Sequence, residues 1–287
     1  MKLKYVDYEV KNNVARITAN RPRYRNAQSR QLLEDLDAAF VEAKRDNRVH
    51  VVALFGAGDH FSGGHDLGTE EELLDRERRP IEEGIRGLYD HSREQFLDKS
   101  MRWREFSKPT IAGVQGYCIF GGWILASAMD VIYAATNAMF LGSNFQFFTV
   151  PWDLNVRRAK EILFESRFID AHEAMDLGLV NRVTELGDLR CEVLAYAERI
   201  AQNDPFQLRM IKMAVNHAQD TQGFHAHTTA AHLMHMMSAQ GERDPAFALQ
   251  VPEGKRRPMV EKAFSNYQLR QERAPDGEGG SMLSGPS

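Results

Sequence analysis

The 287-residue sequence has little cysteine and no long apolar run. Its two cysteines, Cys118 and Cys191, are too few for a disulfide framework and lack the spacing of a metal-binding pair. We expect both to be buried free thiols. No stretch approaches the roughly 18 consecutive apolar residues of a membrane-spanning helix. These absences predict a cytoplasmic protein that does not associate with membranes.

The sequence also lacks a strong excess of one charge. Its 36 Lys and Arg residues against 40 Asp and Glu residues give a net charge of −4. No overall field therefore attracts nucleic acid, and an anionic ligand must be met by a local group of basic residues. The length fits one large α/β domain with an appendage.

Apolar periodicity predicts an α/β core. Residues 5–19 alternate apolar and polar positions on either side of a turn at 11–13, which is typical of a β-hairpin. Residues 29–45 have the apolar spacing of a helix, with Ser29 as its N-cap. Further strands are predicted at 49–55, 109–114 and 130–135, and an apolar helix at 122–129. Because a strand, a helix and a strand follow one another, we expect parallel pairing.

The remaining segments are mainly helical. Residues 69–107 form a charged surface excursion that we expect to be broken at Pro80, Gly84 and Gly87. C-terminal helices are predicted at 156–165, 171–177, 188–202, 205–216 and 224–239. We divide the chain into a core at 1–200, a helical oligomerisation region at 201–273, and a disordered tail at 274–287 that is rich in Gly, Ser and Pro.

Two glycine-bearing segments, residues 61–67 and 114–122, lie where ligands of parallel sheets bind, beyond the carboxyl ends of strands. Glycine leaves backbone N–H groups accessible, and two such groups that converge on one oxygen form an oxyanion hole. Each donor in such a hole is worth roughly 3 kcal/mol. The pair indicates carbonyl chemistry, although glycine turns also serve packing alone.

The sequence carries four motifs in one order: NRPRYRNA at 20–27, FSGGHDL at 61–67, KPTIAGVQG at 108–116 and IDAHEAMDLGLV at 169–180. Together they resemble the crotonase (enoyl-CoA hydratase/isomerase) superfamily over residues 5–265. The resemblance implies an α/β fold with a ββα spiral core and a helical C-terminal trimerisation region. It also implies acyl-CoA substrates, a homotrimer or dimer of trimers, no metal, and no cofactor beyond the coenzyme A of the substrate.

The resemblance further implies which residues act. The oxyanion donors are the backbone N–H groups of His65 and Gly121. Arg23, Tyr24 and Arg25 occupy the place where the family binds the CoA adenine and phosphates, and the arginines supply local positive charge. The other implied contacts are with CoA, at Ala27, Gly63, Asp66 and Leu67, and with the acyl group, at Ile124, Phe145, Trp152 and Tyr89.

The chain departs from the family's hydratases at both positions of their catalytic glutamates. By motif spacing these positions are Ile124, two residues after the Gly-Gly pair of the second segment, and Asn144, seven residues before Pro151. Isoleucine cannot transfer a proton, and asparagine orients a water or a carbonyl but is not a base near neutral pH. Syn-hydration by two glutamates is therefore not expected, and Asn144 remains an orienting residue.

Asp153 is the nearest carboxylate and our first candidate for proton transfer. It follows Pro151 by two residues, and the apolar neighbours Val150 and Trp152 are expected to raise its pKa. The alternative is structural: a helix begins near Asn155, and Asp153 is of a residue type that caps helices.

Other ionisable residues give weaker candidates. The His65 side chain is interpreted as structural. The excursion offers Glu82, Glu83, Tyr89 and His91, where solvated helix faces are the simpler interpretation. A group of four histidines has no carboxylate or cysteine with it, so we predict no metal site there: His225, His227, His232 and His235.

Three functions remain open at this point. The first is an isomerase-like or hydratase-like enzyme that stabilises a thioester enolate, with a bulky acyl group if aromatic residues such as Phe145 and Trp152 line the pocket. The second is hydrolysis of a β-dicarbonyl C–C bond, which Asp153 favours and the absence of histidine at Asn144 disfavours. The third is a catalytically silent CoA-binding protein.

Overall fold

The computed structural model describes residues 3–142, 146–240 and 257–273, without the side chains of 239 and 240. It begins with a hairpin of two antiparallel strands, β1 (Val6–Lys11) and β2 (Val14–Ala19). Asn12 and Asn13 form the turn with φ values of +51° and +62°, which asparagine adopts at low cost and which match the twist of paired strands. The hairpin prediction is confirmed.

Four more strands complete a larger sheet: β3 (Val51–Gly56), β4 (Thr110–Val114), β6 (Val131–Ala135) and β9 (Arg182–Thr184). The strand order is β1-β2-β3-β4-β6-β9, and every pair from β2 to β9 is parallel. β3 and β4 are buried along their whole length, as expected for parallel strands covered on both faces. The predicted strands and their parallel pairing are confirmed.

A second sheet contains three short strands: β5 (Tyr117–Ile119), β7 (Met139–Leu141) and β8 (Ile169–Asp170). β5 pairs in parallel with β7, and Ser62 forms a single bridge with Cys118 beside them. The chain thus repeats a strand in the larger sheet, a strand in the second sheet and a helix. This is the ββα architecture that the motifs predict. Periodicity did not predict the second sheet, because strands of three residues or fewer give no alternation pattern.

Helices pack on both faces of the larger sheet. α1 (Arg30–Arg45) begins at Ser29, whose hydroxyl accepts a hydrogen bond from the Leu32 N–H, so the predicted N-cap is confirmed. α9 (Leu189–Ile200) packs against the opposite face. The other helices of the core are α5 (Gly121–Ser127), α6 (Val150–Asp153), α7 (Val156–Glu165) and α8 (Ala171–Asp176).

The excursion consists of α2 (Glu70–Arg78), α3 (Gly84–Ser92), a π-helical turn (Arg93–Asp98) and α4 (Lys99–Arg104). Pro80 follows α2 and Gly84 begins α3, as predicted. The predicted break at Gly87 is wrong, because Gly87 lies inside α3. A Cβ at Gly87 would lie 2.0 Å from the carbonyl oxygen of Glu82, so close packing accounts for glycine there.

The C-terminal part contains α10 (Pro205–Thr221), α11 (Phe224–Gln240) and α12 (Pro258–Arg273). α12 packs Ala263 and Phe264 against the second sheet. Helices α10 and α11 leave large apolar side chains exposed, among them Phe206, Val215, Met234 and Met237. Of the described helices, none has the length and apolar character to cross a membrane. The predicted tail at 274–287 lies outside the described residues.

The two cysteines differ in exposure. Cys118 is buried in the second sheet, and burial raises the pKa of its thiol. Cys191 is exposed, so the expectation of two buried thiols is wrong for this residue. The reason is helical phase: α9 buries Val193 and Ala197 against the sheet, and position 191 falls on its outer side.

Candidate active site

The two glycine-bearing segments meet in space. Gly64 has a φ of +88°, and a Cβ at this position would lie 2.7 Å from the carbonyl oxygen of Ile119. A Cβ at Gly121 would lie 2.5 Å from Nδ1 of His65. Neither position has space for a side chain, so glycine at both allows the two backbones to approach this closely.

This approach brings the backbone N–H groups of His65 and Gly121 into one region. Across the described ranges, neither N–H donates a hydrogen bond to the protein. Gly121 is the first residue of α5, where N–H groups have no partner within the helix. Phe120, just before it, has a φ of +50°, a strained conformation that costs about 1–3 kcal/mol and that clusters at functional sites.

The side chain of His65 is held away from proton transfer. Its ring lies against Phe96 with the centroids 4.0 Å apart. Nε2 lies 2.7 Å from the side-chain amide of Gln146, and Nδ1 lies 3.3 Å from Oε1 of Gln28. Burial lowers the pKa of His65 to about 4, although the contact with Gln146 opposes this change. The ring is therefore neutral at physiological pH. A neutral imidazole carries one N–H, so it donates to one of these two amide oxygens and not to both. The ring packing and this hydrogen bond agree with a structural role.

Sequence reasoning did not identify Gln28, which belongs to this site. Its side chain contacts both Gly121 and His65. Glutamine beside a helix N-terminus carries no motif and no periodicity, so no signal in the sequence distinguished it. Only the contact between distant segments shows its place.

The predicted CoA-binding residues lie next to the first glycine segment. Arg23 and Tyr24 belong to a 3₁₀ turn (Pro22–Tyr24), which Arg25 ends in a left-handed conformation. The N–H of Gly63 donates to the carbonyl oxygen of Arg25 at 2.8 Å, which joins the turn to the glycine segment. Arg23 and Arg25 are exposed, and no described acidic side chain forms an ion pair with either. Both guanidinium groups are therefore without a described acidic partner, and that of Arg23 lies over the Tyr24 ring, 5.4 Å from its centroid.

Asp66 has a structural place in the same segment. Its Oδ2 accepts hydrogen bonds from the Thr69 hydroxyl and from Arg21, with which it forms a buried ion pair at 2.9 Å. Its Oδ1 accepts from the N–H groups of Gly68 and Thr69. Burial raises the pKa of Asp66, but these hydrogen bonds outweigh it and the pKa is lowered. The carboxylate is fully used in holding the loop, so its role as a CoA contact stays a prediction, as do those of half-buried Ala27 and exposed Leu67.

Asp153 ends α6 beside the C-terminal end of α5. Its Oδ2 accepts a hydrogen bond from the Ser127 hydroxyl at 2.8 Å. The Thr149 hydroxyl and the Trp123 indole also lower its pKa, although neither completes a hydrogen bond. Burial is the largest effect and raises the pKa of Asp153 to about 6.

The capping interpretation of Asp153 is wrong. Asn155 is the N-cap of α7, and its side-chain oxygen accepts hydrogen bonds from the N–H groups of Arg157 and Arg158 at 3.1 Å each. The carboxylate of Asp153 points to α5 instead. It is therefore a half-buried ionisable group without a role in helix capping.

The predicted acyl-pocket residues lie on different surfaces. Ile124 is buried in α5. Trp152 donates a hydrogen bond from its indole N–H to Nδ1 of His227 on α11, and Tyr89 packs against His232 further along the same helix. Phe145 and the catalytic candidate Asn144 lie outside the described residues. The pocket assignment stays a prediction.

The histidines of α11 have separate partners. His225 lies within 3.4 Å of Glu105 and Asp220, His227 contacts Trp152, and His232 hydrogen-bonds with Ser92. In the excursion, Glu82 and His91 line a cavity of about 280 Å³, and burial lowers the pKa of His91 to about 4. Among the described side chains, no group of His, Cys, Asp and Glu has the arrangement of a metal site.

Comparisons with known proteins agree with this ββα architecture. The sequence model of the enoyl-CoA hydratase/isomerase family matches residues 9–255. The chain is 32% identical over 255 residues to the putative enoyl-CoA hydratase EchA13 of Mycobacterium tuberculosis. This match covers 82% of this chain and 80% of that protein.

Solved structures give the same result. A probable enoyl-CoA hydratase from Mycobacterium smegmatis superposes with a TM-score of 0.74 at 39% identity, over 81% of this chain and 93% of that one. An enoyl-CoA hydratase/isomerase from Xanthobacter autotrophicus Py2 superposes with a TM-score of 0.76 at 33% identity, and the match covers 85% of this chain and 90% of that one. The chain therefore belongs to the enoyl-CoA hydratase/isomerase family of the crotonase superfamily, as its motifs predict.

Proposed function

We propose that the chain acts on an acyl-CoA thioester through an enolate held in an oxyanion hole formed by the N–H groups of His65 and Gly121. The observation that carries this proposal is the contact between the Gly64 and Gly121 backbones. It brings together two N–H groups that have no described protein acceptor. The thioester oxygen of the substrate is the acceptor that we assign to them.

Two N–H donors suit this reaction because the negative charge of the enolate develops on the oxygen that they bind. Removal of a proton next to a thioester carbonyl places negative charge on the carbonyl oxygen, and fixed N–H dipoles stabilise that charge without reorganising. Each donor contributes roughly 3 kcal/mol. Because the His65 ring is neutral, with a pKa of about 4, the stabilisation comes from the backbone donors rather than from an imidazolium.

Arg23 and Arg25 bind the CoA phosphates in this proposal, and Tyr24 offers a ring for the adenine. Support comes from the exposure of the two arginines, from the absence of a described acidic partner for either, and from the hydrogen bond between Gly63 and Arg25. The Tyr24 ring is half-buried and already carries the Arg21 and Arg23 guanidinium groups. Guanidinium groups recognise phosphate by paired, charge-assisted hydrogen bonds. The coenzyme is thus bound at one side of the oxyanion hole, and no separate cofactor is needed.

Asp153 is the proton-transfer group that we propose. A carboxyl group with a pKa of about 6 is present in both protonation states near neutrality, which suits a general acid–base catalyst. Ile124, at the place of the first hydratase glutamate, cannot take this role. Isomerisation of an enoyl-CoA therefore fits better than hydration by two glutamates.

A panel of 2-enoyl-, 3-enoyl- and β-ketoacyl-CoA thioesters, assayed for hydration, isomerisation and C–C hydrolysis, tests the proposal. Isomerisation supports it, whereas hydrolysis of the β-ketoacyl thioester selects the β-dicarbonyl hydrolase. Binding without turnover across the panel selects the silent CoA-binding protein. Asp153→Ala is expected to lose turnover and keep its affinity for acyl-CoA, and equal turnover removes Asp153 from the mechanism.

We also propose that the chain assembles as a homotrimer or a dimer of trimers through α10 and α11. Phe206 is 67% exposed and Met237 is 76% exposed, and apolar side chains of this size favour burial against another chain. Light scattering after size exclusion measures the assembly. Met237→Glu is expected to lower the mass, and an unchanged mass together with an intact fold excludes this surface.

A further inference from the structure

Gln28 lies outside both glycine segments and hydrogen-bonds to each of them. It is buried, with 5% of its surface exposed. Its backbone N–H donates to the carbonyl oxygen of Gly64 at 2.8 Å, and its carbonyl oxygen accepts from the N–H of Asp66 at 3.0 Å. Its side-chain Nε2 donates to the carbonyl oxygen of Gly121 at 2.8 Å. One residue therefore connects segments that lie far apart in the sequence.

The first of these bonds acts directly on an oxyanion donor. The Gly64 carbonyl and the His65 N–H belong to the same peptide group, so the bond from Gln28 fixes the direction of that N–H. A hydrogen bond to a peptide carbonyl also polarises the N–H of the same peptide. The side-chain bond is made to the Gly121 carbonyl, which belongs to the following peptide group, so it holds the second donor through the Gly121 Cα. The two segments are also joined directly, by the hydrogen bonds of Ser62 with Tyr117 and Ile119, and the Gln28 side chain adds a bond at Gly121 itself.

The packing leaves this arrangement little freedom. A Cβ at Gly121 would lie 2.3 Å from Oε1 of Gln28. The glutamine amide therefore occupies the space beside Gly121, with Nε2 committed to the Gly121 carbonyl and Oε1 turned to His65. The amide cannot rotate without losing the bond to Gly121.

We propose that Gln28 is the positioning residue of the oxyanion hole, setting the distance between the His65 and Gly121 N–H groups through its side-chain amide. The inference rests on the proposed function, since it needs a thioester oxygen at these donors. Gln28 does not itself touch the substrate. It acts through the Gly121 peptide, and misplacing a catalytic group by about 1 Å costs on the order of 100-fold in rate.

Gln28→Leu fills a similar space but cannot donate to the Gly121 carbonyl. The matched control is Gln115→Leu. Gln115 is 7% exposed, and its side-chain amide donates to the carbonyl oxygens of Gly56 and Gly58 at 2.7 and 2.9 Å, with no bond to residue 64 or 121. Both variants lose a buried side-chain donor, and only one of them loses it at the oxyanion hole.

The decisive measurement is the infrared carbonyl stretch of a bound acyl-CoA carrying ¹³C at the thioester carbon. Hydrogen bonds from the two N–H groups lower this frequency in the wild-type protein. In Gln28→Leu we expect most of this frequency shift to disappear. On the thioester that the wild type turns over, kcat should fall about 10- to 100-fold while KM changes by less than about threefold. Gln115→Leu is expected to retain the wild-type frequency shift and the wild-type kcat.

A second variant covers the case in which Gln28→Leu does not fold. Gln28→Glu has the same shape, and its ionised carboxylate cannot donate to the Gly121 carbonyl, whereas its protonated form can. Its turnover, relative to the wild type, should therefore recover as the pH is lowered. A constant ratio across pH overturns the inference.

The outcomes separate the two proposals. A wild-type protein that binds acyl-CoA without lowering the carbonyl frequency overturns the oxyanion hole, and this inference with it. A lowered frequency in the wild type that is equal in Gln28→Leu leaves the oxyanion hole standing and overturns the role of Gln28. A loss of stability with unchanged frequency and kcat likewise makes Gln28 a structural residue only.

Discussion

Replacing Asp153 with asparagine is expected to stabilise the protein while it lowers turnover. Burial raises the pKa of this carboxyl group from 3.8 to about 6. Each tenfold change in proton affinity is worth about 1.4 kcal/mol, so ionising Asp153 costs about 3 kcal/mol more in the folded than in the unfolded state. Asparagine keeps an acceptor for the Ser127 hydroxyl and carries no charge.

The direction of the pKa shift determines the pH range over which the charge of Asp153 lowers the free energy of unfolding. Because the folded protein binds this proton more tightly than the unfolded chain does, the penalty appears as the pH rises above 3.8 and is complete above about 6. The gain from Asp153→Asn is therefore expected to be about 3 kcal/mol at pH 8 and roughly half of that at pH 5.

Urea unfolding at pH 5 and pH 8 measures this gain, at one protein concentration because assembly adds its own stability. Asp188→Asn is a suitable control, since Asp188 is exposed and its side chain makes no capping bond; a change within about 0.5 kcal/mol is expected. A destabilised Asp153→Asn protein, or a gain that is equal at both pH values, would refute the assignment of a costly buried charge.

Three further predictions concern the oxyanion hole and the coenzyme. Gly121→Ala places a Cβ 2.3 Å from Gln28 and is expected to remove turnover. The control Gly187→Ala, with no atom within 4 Å of its Cβ, should leave turnover unchanged. Equal activities of the two variants would contradict the close approach of the backbones at Gly121. The double variant Arg23→Ala, Arg25→Ala should weaken acyl-CoA binding about 10-fold or more, as measured by calorimetry. An unchanged affinity would show that the CoA phosphates do not bind at these arginines. Burial lowers the pKa of His65 to about 4, so its nitrogen resonances should not titrate between pH 8 and pH 5; a midpoint near the ordinary value of 6.5 contradicts its burial.

Much of the core could be predicted because its elements are long and periodic. The alternation around Asn12 and Asn13 defines the hairpin, and the spacing of apolar residues with Ser29 before them defines α1. The glycine segments were recognised from their residues and their place after predicted strands, and the motifs identified the family and, through it, His65 and Gly121 as candidate donors. Each of these signals is local in the sequence, so it can be recognised without knowing what packs against it.

The unpredicted features depend on contacts between distant segments. Asp153 and Asn155 are both residues that cap helices, and only the direction of each side chain shows that Asn155 caps α7. Gly87 has the sequence signal of a helix break, but its helix packs against the Glu82 backbone. Gln28 has no sequence signal at all. A pattern of residue types does not contain these distances.

The position of Asp153 leads to a prediction about acyl length. Asp153 contacts α5 at Ser127, whereas the proposed oxyanion donor is at Gly121. The helix rises about 9 Å over the six steps from Gly121 to Ser127. An acyl chain bound at Gly121 and lying along α5 brings its distal carbons closest to the carboxyl group, and a short acyl group ends before reaching it. At this separation Asp153 would move a proton at a carbon conjugated with the thioester, from which the charge still reaches the thioester oxygen, rather than at the carbon next to the carbonyl.

Asp153→Ala should accordingly reduce turnover much more for long or bulky acyl-CoA thioesters than for a four-carbon enoyl-CoA. Steady-state rates of the wild type and the variant on a series of increasing acyl length measure this difference, with kcat separated from KM so that binding is not mistaken for chemistry. If the variant loses the same factor on every member of the series, Asp153 does not act at a distal carbon. Its raised pKa is then a cost of packing against α5 and not a device of catalysis.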